Sequence, residues 1–89
     1  MTPAQIAQLH TEILKQLYEA SPLALPERAL HGGMLFIFPE LQLKDFYREI
    51  EYLKGKNFVA SQPHATSPGL LSWKLTASGV EHVRREKIA

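Results

Sequence analysis

Residues 41–59, LQLKDFYREIEYLKGKNFV, decide the fold, because they place one strongly amphipathic helix directly before the start of a strand. At about 100° per residue, this helix has an apolar side and a polar side. The apolar side consists of Leu43, Phe46, Tyr47, Ile50 and Leu53. The opposite side consists of Leu41, Lys44, Asp45, Arg48 and Tyr52. We expect the first set to face a hydrophobic core and the second set to face solvent.

Proline and glycine mark the ends of this helix. Pro39 disfavours the α conformation of the residue before it, which predicts a helix start near Glu40 or Leu41. Residues 54–57, KGKN, combine a glycine with positive charge in the last turn, and both favour a helix C-terminus. The next two residues, Phe58 and Val59, are aromatic and β-branched, which predicts that a strand begins here.

A hairpin is predicted after this strand start. Residues 61–69, SQPHATSPG, contain two prolines and a Pro-Gly pair, which are typical of a loop. Beyond the loop, apolar and polar residues alternate from Leu71 to Leu75, which predicts a half-buried strand. In this strand we expect Trp73 to lie in the core and Lys74 to lie in solvent.

The two terminal helices are marked by capping residues. Thr2 and Gln5 form a capping-box pattern around Pro3, which predicts that the first helix begins at Pro3 and ends at Ser21-Pro22. Its apolar stripe consists of Ile6, Leu9, Ile13 and Leu17. Thr76 is the predicted N-cap of the last helix, whose inward residues are Val80 and Val83.

The segment between the first helix and the central helix is the hardest to assign. Residues 23–33, LALPERALHGG, predict a short extended stretch and then a brief helix with Pro26 near its start. Gly32-Gly33 is expected to weaken or end that helix. The run MLFIF, residues 34–38, has three alternatives, namely the end of a buried helix, a short strand or a hydrophobic turn.

Composition limits the classes of protein. A chain of 89 residues has room for one domain, and its net charge of +1 implies that any nucleic-acid surface is local. The absence of cysteine excludes disulfides, thiolate metal sites and a cysteine nucleophile. The N-terminal segment interrupts its apolar residues with polar ones, so we expect neither a signal peptide nor a membrane span, and a soluble, cytoplasmic protein.

The predicted order of helix, short strand, helix, helix, strand, loop, strand and helix resembles a winged helix-turn-helix domain. The likeness is to bacterial regulators of the multiple-antibiotic-resistance and PadR-like groups, and it covers most of the chain. It is sharpest over residues 43–79, which end in the pattern Leu75-Thr76-x-x-Gly79. The resemblance implies a single α+β domain over residues 1–89, mainly α, with three to four helices and a small antiparallel β-hairpin as the wing.

The resemblance also implies a function, which is transcriptional regulation by binding of duplex DNA as a dimer. A recognition helix at about 41–55 would enter the major groove, and a wing at about 58–75 would touch a neighbouring groove or phosphate. The residues expected to contact bases or phosphates are Arg28, Gln42, Lys44, Asp45, Arg48, Tyr52, Lys56, His64 and Lys74.

The local charges support an alternative function. The recognition helix from Glu40 to Lys54 has four acidic residues against three basic ones, whereas phosphate contacts need positive charge. The wing from Ala60 to Ser72 has no lysine or arginine. The alternative is a winged-helix module that binds another protein and no DNA. An excess of apolar residues also predicts a homodimer or a partner protein, and its members are Leu14, Tyr18, the MLFIF run, Leu41 and Leu70.

The sequence contains no pattern that predicts catalysis or a bound metal. The four histidines, at 10, 31, 64 and 82, lie in different elements, and none is spaced to form a metal site. Phosphate-binding loops, nucleophile elbows and paired carboxylates are missing from the sequence. We therefore expect neither an enzyme nor a cofactor.

Overall fold

A computed structural model describes residues 1–64, 66 and 69–89 of the chain. The helices and strands among these residues are α1 (Pro3–Ala20), β1 (Leu25–Pro26), α2 (Glu27–Ile37), α3 (Leu43–Gly55), β2 (Val59–Pro63), β3 (Leu71–Leu75) and α4 (Ala77–Arg85). The predicted α+β class is confirmed, because four helices surround one small antiparallel sheet. The elements follow one another in the order predicted from the sequence.

The sheet has the strand order β1-β3-β2, so β3 is its central strand. Trp73 lies opposite Leu25 of β1 on one side and opposite Ser61 of β2 on the other. The loop was predicted to begin at Ser61, which was wrong, because residues 61–63 belong to β2. Pro63 is tolerated there because β2 is an edge strand, whose outer N–H groups need no partner in the sheet. The part of that loop prediction that falls on Ala65, Ser67 and Pro68 lies outside the described residues.

Helix α1 begins with the predicted capping box. Thr2 Oγ1 accepts a hydrogen bond from the Gln5 N–H at 3.2 Å, and Gln5 Oε1 accepts one from the Thr2 N–H at 2.9 Å. The predicted stripe is buried apart from Ile6, which is half-buried. Leu14 is also in the core, so its assignment to an exposed apolar excess was wrong.

Helix α2 passes through both glycines and ends at Ile37, so of the two alternatives for Gly32-Gly33, weakening or ending the helix, the second was wrong. Leu30 and Met34, one turn apart, are completely buried. Burial of two such side chains contributes about 3–6 kcal/mol, which exceeds the cost of about 2 kcal/mol for two helical glycines. The MLFIF run is therefore mostly the end of a helix, and its Phe36 is 90% exposed.

Helix α3 begins at Leu43, about two residues later than expected, and its inward face differs from the prediction. The buried residues of the helix are Phe46, Glu49, Ile50 and Leu53. Leu43 and Tyr47 are 46% and 40% exposed, so their placement in the core was wrong. The core-facing side is rotated by roughly 50° from the predicted one. Leu41 precedes the helix and is buried, which corrects both its assignment to the solvent side and its place in the apolar excess.

The chain after α3 turns sharply into the hairpin and then into α4. Asn57 adopts a positive φ of 64°, a conformation that asparagine tolerates better than most residues. The predicted N-cap is confirmed, since Thr76 Oγ1 accepts a hydrogen bond from the Gly79 N–H at 3.0 Å. Val83 is buried and Val80 is half-buried, as expected. Within the described residues, no helix combines the length and the apolar character that crossing a membrane requires.

Candidate nucleic-acid interface

The surface of α3 that points away from the core carries three charged side chains. Phe46, Glu49, Ile50 and Leu53 define the buried side, and Lys44, Arg48 and Glu51 lie opposite them at about 100° per residue. We call these three residues the outer face of α3. All three are exposed, so this face is accessible to a ligand.

Arg48 is held in one orientation by two carboxylates of its own helix. Its Nη2 donates to Asp45 Oδ1 at 3.0 Å, and its Nε donates to Glu49 Oε2 at 3.0 Å. The Arg48 side chain is nevertheless 63% exposed. The more exposed of the two pairs, with Asp45, stabilises the protein by at most about 1 kcal/mol. The two carboxylates together orient the guanidinium.

Glu49 connects α3 to α1. Its Oε1 lies 2.9 Å from Nε2 of His10, and the His10 ring stacks on Tyr52 with ring centroids 4.9 Å apart. Burial raises the pKa of Glu49. The hydrogen bonds with Arg48 and His10 together lower this pKa by more than burial raises it, so the pKa of Glu49 lies below its usual value. A buried carboxylate is tolerated here because both of its oxygens have partners.

We expect Glu49→Gln to destabilise the protein by about 1–2 kcal/mol near neutral pH, because two charge-assisted hydrogen bonds are weakened. A carboxylate with a lowered pKa stabilises the folded state fully above its unfolded pKa of about 4.3. That contribution is lost as the pH falls through the folded pKa. The difference in the free energy of unfolding between wild type and variant should therefore shrink in acid.

Urea denaturation of both proteins at about pH 7 and about pH 3 measures this difference. Glu51→Gln, on the exposed side of the same helix, is the matched control and should change stability by less than about 0.5 kcal/mol at either pH. A Glu49→Gln penalty that stays constant with pH would show that packing, and not charge, determines the effect.

The structure changes the charge balance that the sequence predicted for this helix. Glu40 lies outside α3, and Glu49 is turned inward with only 7% of its surface exposed. The remaining charged residues of α3 are the cations Lys44, Arg48 and Lys54 and the anions Asp45 and Glu51. These five residues have a formal charge of +1, and the Glu49 carboxylate still pairs with Arg48.

Other predicted contact residues lie around the ends of α3. Gln42 is its exposed N-cap, and Lys56 is its C-cap, with Nζ 5.7 Å from the centre of the Tyr52 ring. Tyr52 is 50% exposed at the edge of the outer face. These three residues flank α3 at its two ends and on the side next to α1.

Lys74 is not brought to α3. It is exposed, as predicted, but it follows Trp73 on β3 and so points to the opposite face of the sheet. The face that carries Trp73 is the one next to α3, because Lys54 lies 5.9 Å from the centre of the Trp73 ring. Lys74 therefore points away from the side of the sheet on which α3 lies.

An open groove lies between the N-terminal ends of α2 and α3 and the hairpin. We call it the apolar groove, and its volume is about 570 Å³. Its apolar wall consists of Leu43, Tyr47, Leu70 and Leu71. Its polar rim consists of Glu27, Arg28, His31 and His64. Two predicted contact residues, Arg28 and His64, thus line this groove and do not belong to the outer face of α3.

Glu27 organises one wall of the apolar groove. Its Oε1 accepts a hydrogen bond from Trp73 Nε1 at 3.0 Å, and its Oε2 accepts one from Tyr47 Oη at 3.1 Å. Both carboxylate oxygens are therefore engaged, and the bond to Glu27 orients the half-exposed Tyr47 ring. Trp73 is almost completely buried, as the sequence predicted.

Sequence reasoning missed His10, Glu27 and Glu49 as organising residues. The spacing of Phe46, Glu49, Ile50 and Leu53 is itself helical, but a glutamate does not count in an apolar pattern. The partners of Glu49 and Glu27 lie 39 and 46 residues away in the chain, as His10 and Trp73. Within the ranges that the structure covers, no three His, Asp or Glu side chains converge as a metal site would require.

Comparisons of the chain with protein-family models, with curated proteins and with solved structures give no match. The likeness to bacterial winged-helix regulators therefore stays a prediction from the sequence pattern.

Proposed function

We propose that the protein binds duplex DNA, with the outer face of α3 in the major groove, and that it regulates transcription in this way. The observation that carries the proposal is the composition of the outer face of α3, where the cations Lys44 and Arg48 are exposed beside one anion, Glu51. Negative charge on that side would repel the phosphates. An exposed α-helix has the width that the major groove admits.

Lys44 and Arg48 have different roles in this proposal. Lys44 has no carboxylate within ion-pair distance among the described residues, so it is available for a phosphate. Arg48 is oriented by Asp45 and Glu49, and an oriented guanidinium suits the acceptors on the edge of a guanine. Lys44 would supply affinity, and Arg48 would supply preference for particular bases.

A homodimer is part of the proposal. One α3 provides few phosphate contacts, and a two-fold dimer doubles them and matches a palindromic site. Exposed apolar side chains outside the apolar groove are available for such a contact, among them Leu23 and Phe36. A size-exclusion mass measurement tests this part separately from DNA binding.

The test is a salt titration of binding to random duplex DNA, followed by fluorescence anisotropy. If about four cations contact phosphates, the logarithm of the binding constant falls with the logarithm of salt with a slope of roughly −3 to −4. Lys44→Ala should reduce the magnitude of that slope by about 1. Lys15→Ala is the matched control, because Lys15 is exposed on the side of α1 away from the core, and it should leave the slope unchanged.

Arg48→Ala tests base recognition. On a duplex selected from a random pool by the wild type, we expect this variant to lose about 1–3 kcal/mol of binding free energy and most of its preference over random duplex. Lack of binding at low salt, or a slope that Lys44→Ala does not change, would refute the proposal.

The alternative, a protein-interaction module, is favoured by one specific observation. The apolar groove lies beside the outer face of α3, and its wall exposes leucine side chains that a phosphate backbone does not complement.

A further inference from the structure

A series of contacts joins the outer face of α3 to helix α1. Arg48 Nε donates to Glu49 Oε2 at 3.0 Å, and Glu49 Oε1 lies 2.9 Å from Nε2 of His10. Helix α1 supplies His10, which precedes Glu49 by 39 residues in the chain. The side chain of Arg48 is 63% exposed, whereas those of His10 and Glu49 are 20% and 9% exposed. His10 thus reaches the exposed guanidinium through the carboxylate that lies between them.

The Glu49 carboxylate is fixed because each of its oxygens has a partner. Among the described residues, His10 is the one partner of Oε1, and it donates because an ionised carboxylate only accepts. Without that bond, Oε1 would be a charged acceptor in a largely buried position, which is unfavourable. Rotation of the side chain toward water would relieve this cost, and it would also carry Oε2 away from Arg48. The bond from His10 therefore keeps Oε2 in place as the acceptor of the Arg48 Nε–H.

The guanidinium of Arg48 keeps donors for a ligand after both carboxylates are bound. It has five N–H groups, of which Glu49 accepts the one on Nε and Asp45 accepts one on Nη2. The three others, two on Nη1 and one on Nη2, donate to no residue that the structure describes. One N–H from each terminal nitrogen gives the pair of donors that O6 and N7 of guanine accept. The two carboxylates therefore determine where this pair of donors points.

Of the two carboxylates, that of Glu49 is the better shielded from water. The Asp45 side chain is 22% exposed, and that of Glu49 is 9% exposed. A hydrogen bond in a less solvated position is stronger, because water competes for it less. Glu49, and with it His10, should therefore contribute most of the restraint on Arg48.

We propose that His10 is a positioning residue for base recognition, an inference that rests on the proposed function. Its hydrogen bond to Glu49 keeps the free N–H groups of Arg48 directed at the major groove. Preference for particular bases then depends on a residue of α1, outside the helix that meets the bases. Lys44, the proposed phosphate contact, forms no ion pair among the described residues, so removal of the His10 bond should leave the phosphate contacts unchanged.

His10 makes a second contact, which the variants must separate from the first. Its ring stacks on Tyr52 with ring centroids 4.9 Å apart. His10→Phe keeps an aromatic ring and removes the donor to Glu49. His10→Gln removes the ring and keeps an amide N–H donor of similar reach. Positioning through Glu49 predicts a defect in His10→Phe and its rescue in His10→Gln, whereas a role through Tyr52 predicts the reverse.

The first measurement uses the free protein without DNA and follows the Nε–H signal of Arg48 in two-dimensional NMR spectra. Arg48→Ala assigns the signal by its absence. In the wild type, the bond to Glu49 should slow the exchange of this hydrogen with water. Exchange should be roughly threefold to tenfold faster in His10→Phe, the range expected for loss of one hydrogen bond, and close to wild type in His10→Gln. Circular dichroism shows whether each variant is folded.

The second measurement compares binding to the duplex selected by the wild type with binding to random duplex. His10→Phe should lower the ratio of the two binding constants by roughly threefold to tenfold, and should leave the salt slope on random duplex unchanged. In an Arg48→Ala background, His10→Phe should lower the ratio no further, because His10 acts through Arg48. Lys15→Ala, on the exposed side of α1, is the matched control.

Three outcomes would overturn the inference. They are an Arg48 signal that exchanges equally in wild type and His10→Phe, an unchanged binding ratio in His10→Phe, and a further loss of preference when both residues are replaced. If the wild type bound no duplex at low salt, the DNA-binding proposal would fail, and the role in base recognition with it. The Arg48 signal would still show whether His10 positions the guanidinium, so the two failures are distinguishable.

Discussion

Gly79→Ala should lower the free energy of unfolding by about 3 kcal/mol, which is a large part of the roughly 4–13 kcal/mol expected for 89 residues. A Cβ at Gly79 would overlap the backbone carbonyl oxygen of Phe58 and press on Leu75. The Phe58 carbonyl also accepts a hydrogen bond from the Thr76 N–H at 3.0 Å, so it has little freedom to move. The first turn of α4 would have to shift away from the base of the hairpin.

Gly32→Ala is the matched control and should have the opposite sign. Gly32 lies inside α2, and among the described residues no atom beyond its own helix lies within 4 Å of the position that a Cβ would occupy. Alanine there should stabilise the protein by about 0.5–1 kcal/mol, because it restricts the unfolded chain and favours the helix. Urea denaturation followed by far-ultraviolet circular dichroism measures both changes. Equal stability of the two variants would contradict the packing assigned to Gly79.

Trp73→Ala should have the largest effect, a loss of about 3–5 kcal/mol, because it removes a fully buried aromatic side chain. Trp73→Phe keeps most of the ring but removes the donor to Glu27, so we expect a smaller loss of about 1–3 kcal/mol. Glu27→Gln keeps an oxygen acceptor and removes the charge. It should cost less than Trp73→Ala.

Circular dichroism is the appropriate measurement for this series, because Trp73 is the single tryptophan of the chain and its fluorescence is lost in both Trp73 variants. A matched control for burial is Phe36→Ala, since Phe36 is 90% exposed and should change stability by less than about 0.5 kcal/mol. If Trp73→Phe were as stable as the wild type, the bond to Glu27 would contribute nothing to stability. If it were as unstable as Trp73→Ala, the bond would outweigh the packing of the ring.

Local features of the fold were predictable because their partners are close in sequence. The capping box of Thr2 and Gln5 and the cap of Gly79 by Thr76 each connect residues three positions apart. The alternation predicted from Leu71 to Leu75 is confirmed at Trp73 and Lys74 but was wrong at its start, because Leu71 is 38% exposed and Ser72 is buried. Caps and strand periodicity need no knowledge of the rest of the molecule.

The orientation of α3 was not predictable from its own residues. Either of two faces of α3 could pack against the core. One carries Leu43 and Tyr47 and the other carries Glu49, and hydrophobicity favours the first. The second is realised because His10 and Arg48 supply partners for the Glu49 carboxylate, and because Tyr47 donates to Glu27 of α2. That rotation turns Glu49 inward and leaves Lys44, Arg48 and Glu51 on the outer face of α3.

The sequence alone determined the order of helices and strands, the N-caps of α1 and α4, the burial of Trp73 and the charged residues available for binding. Tertiary structure decided which side of α3 meets solvent, how far α2 extends past Gly32 and Gly33, and that Leu43 and Leu71 share one groove. The physical reason is the range of the interactions. Caps and periodicity act over a few residues, whereas the pairing of a buried carboxylate and the convergence of separate apolar side chains depend on segments that only folding brings together.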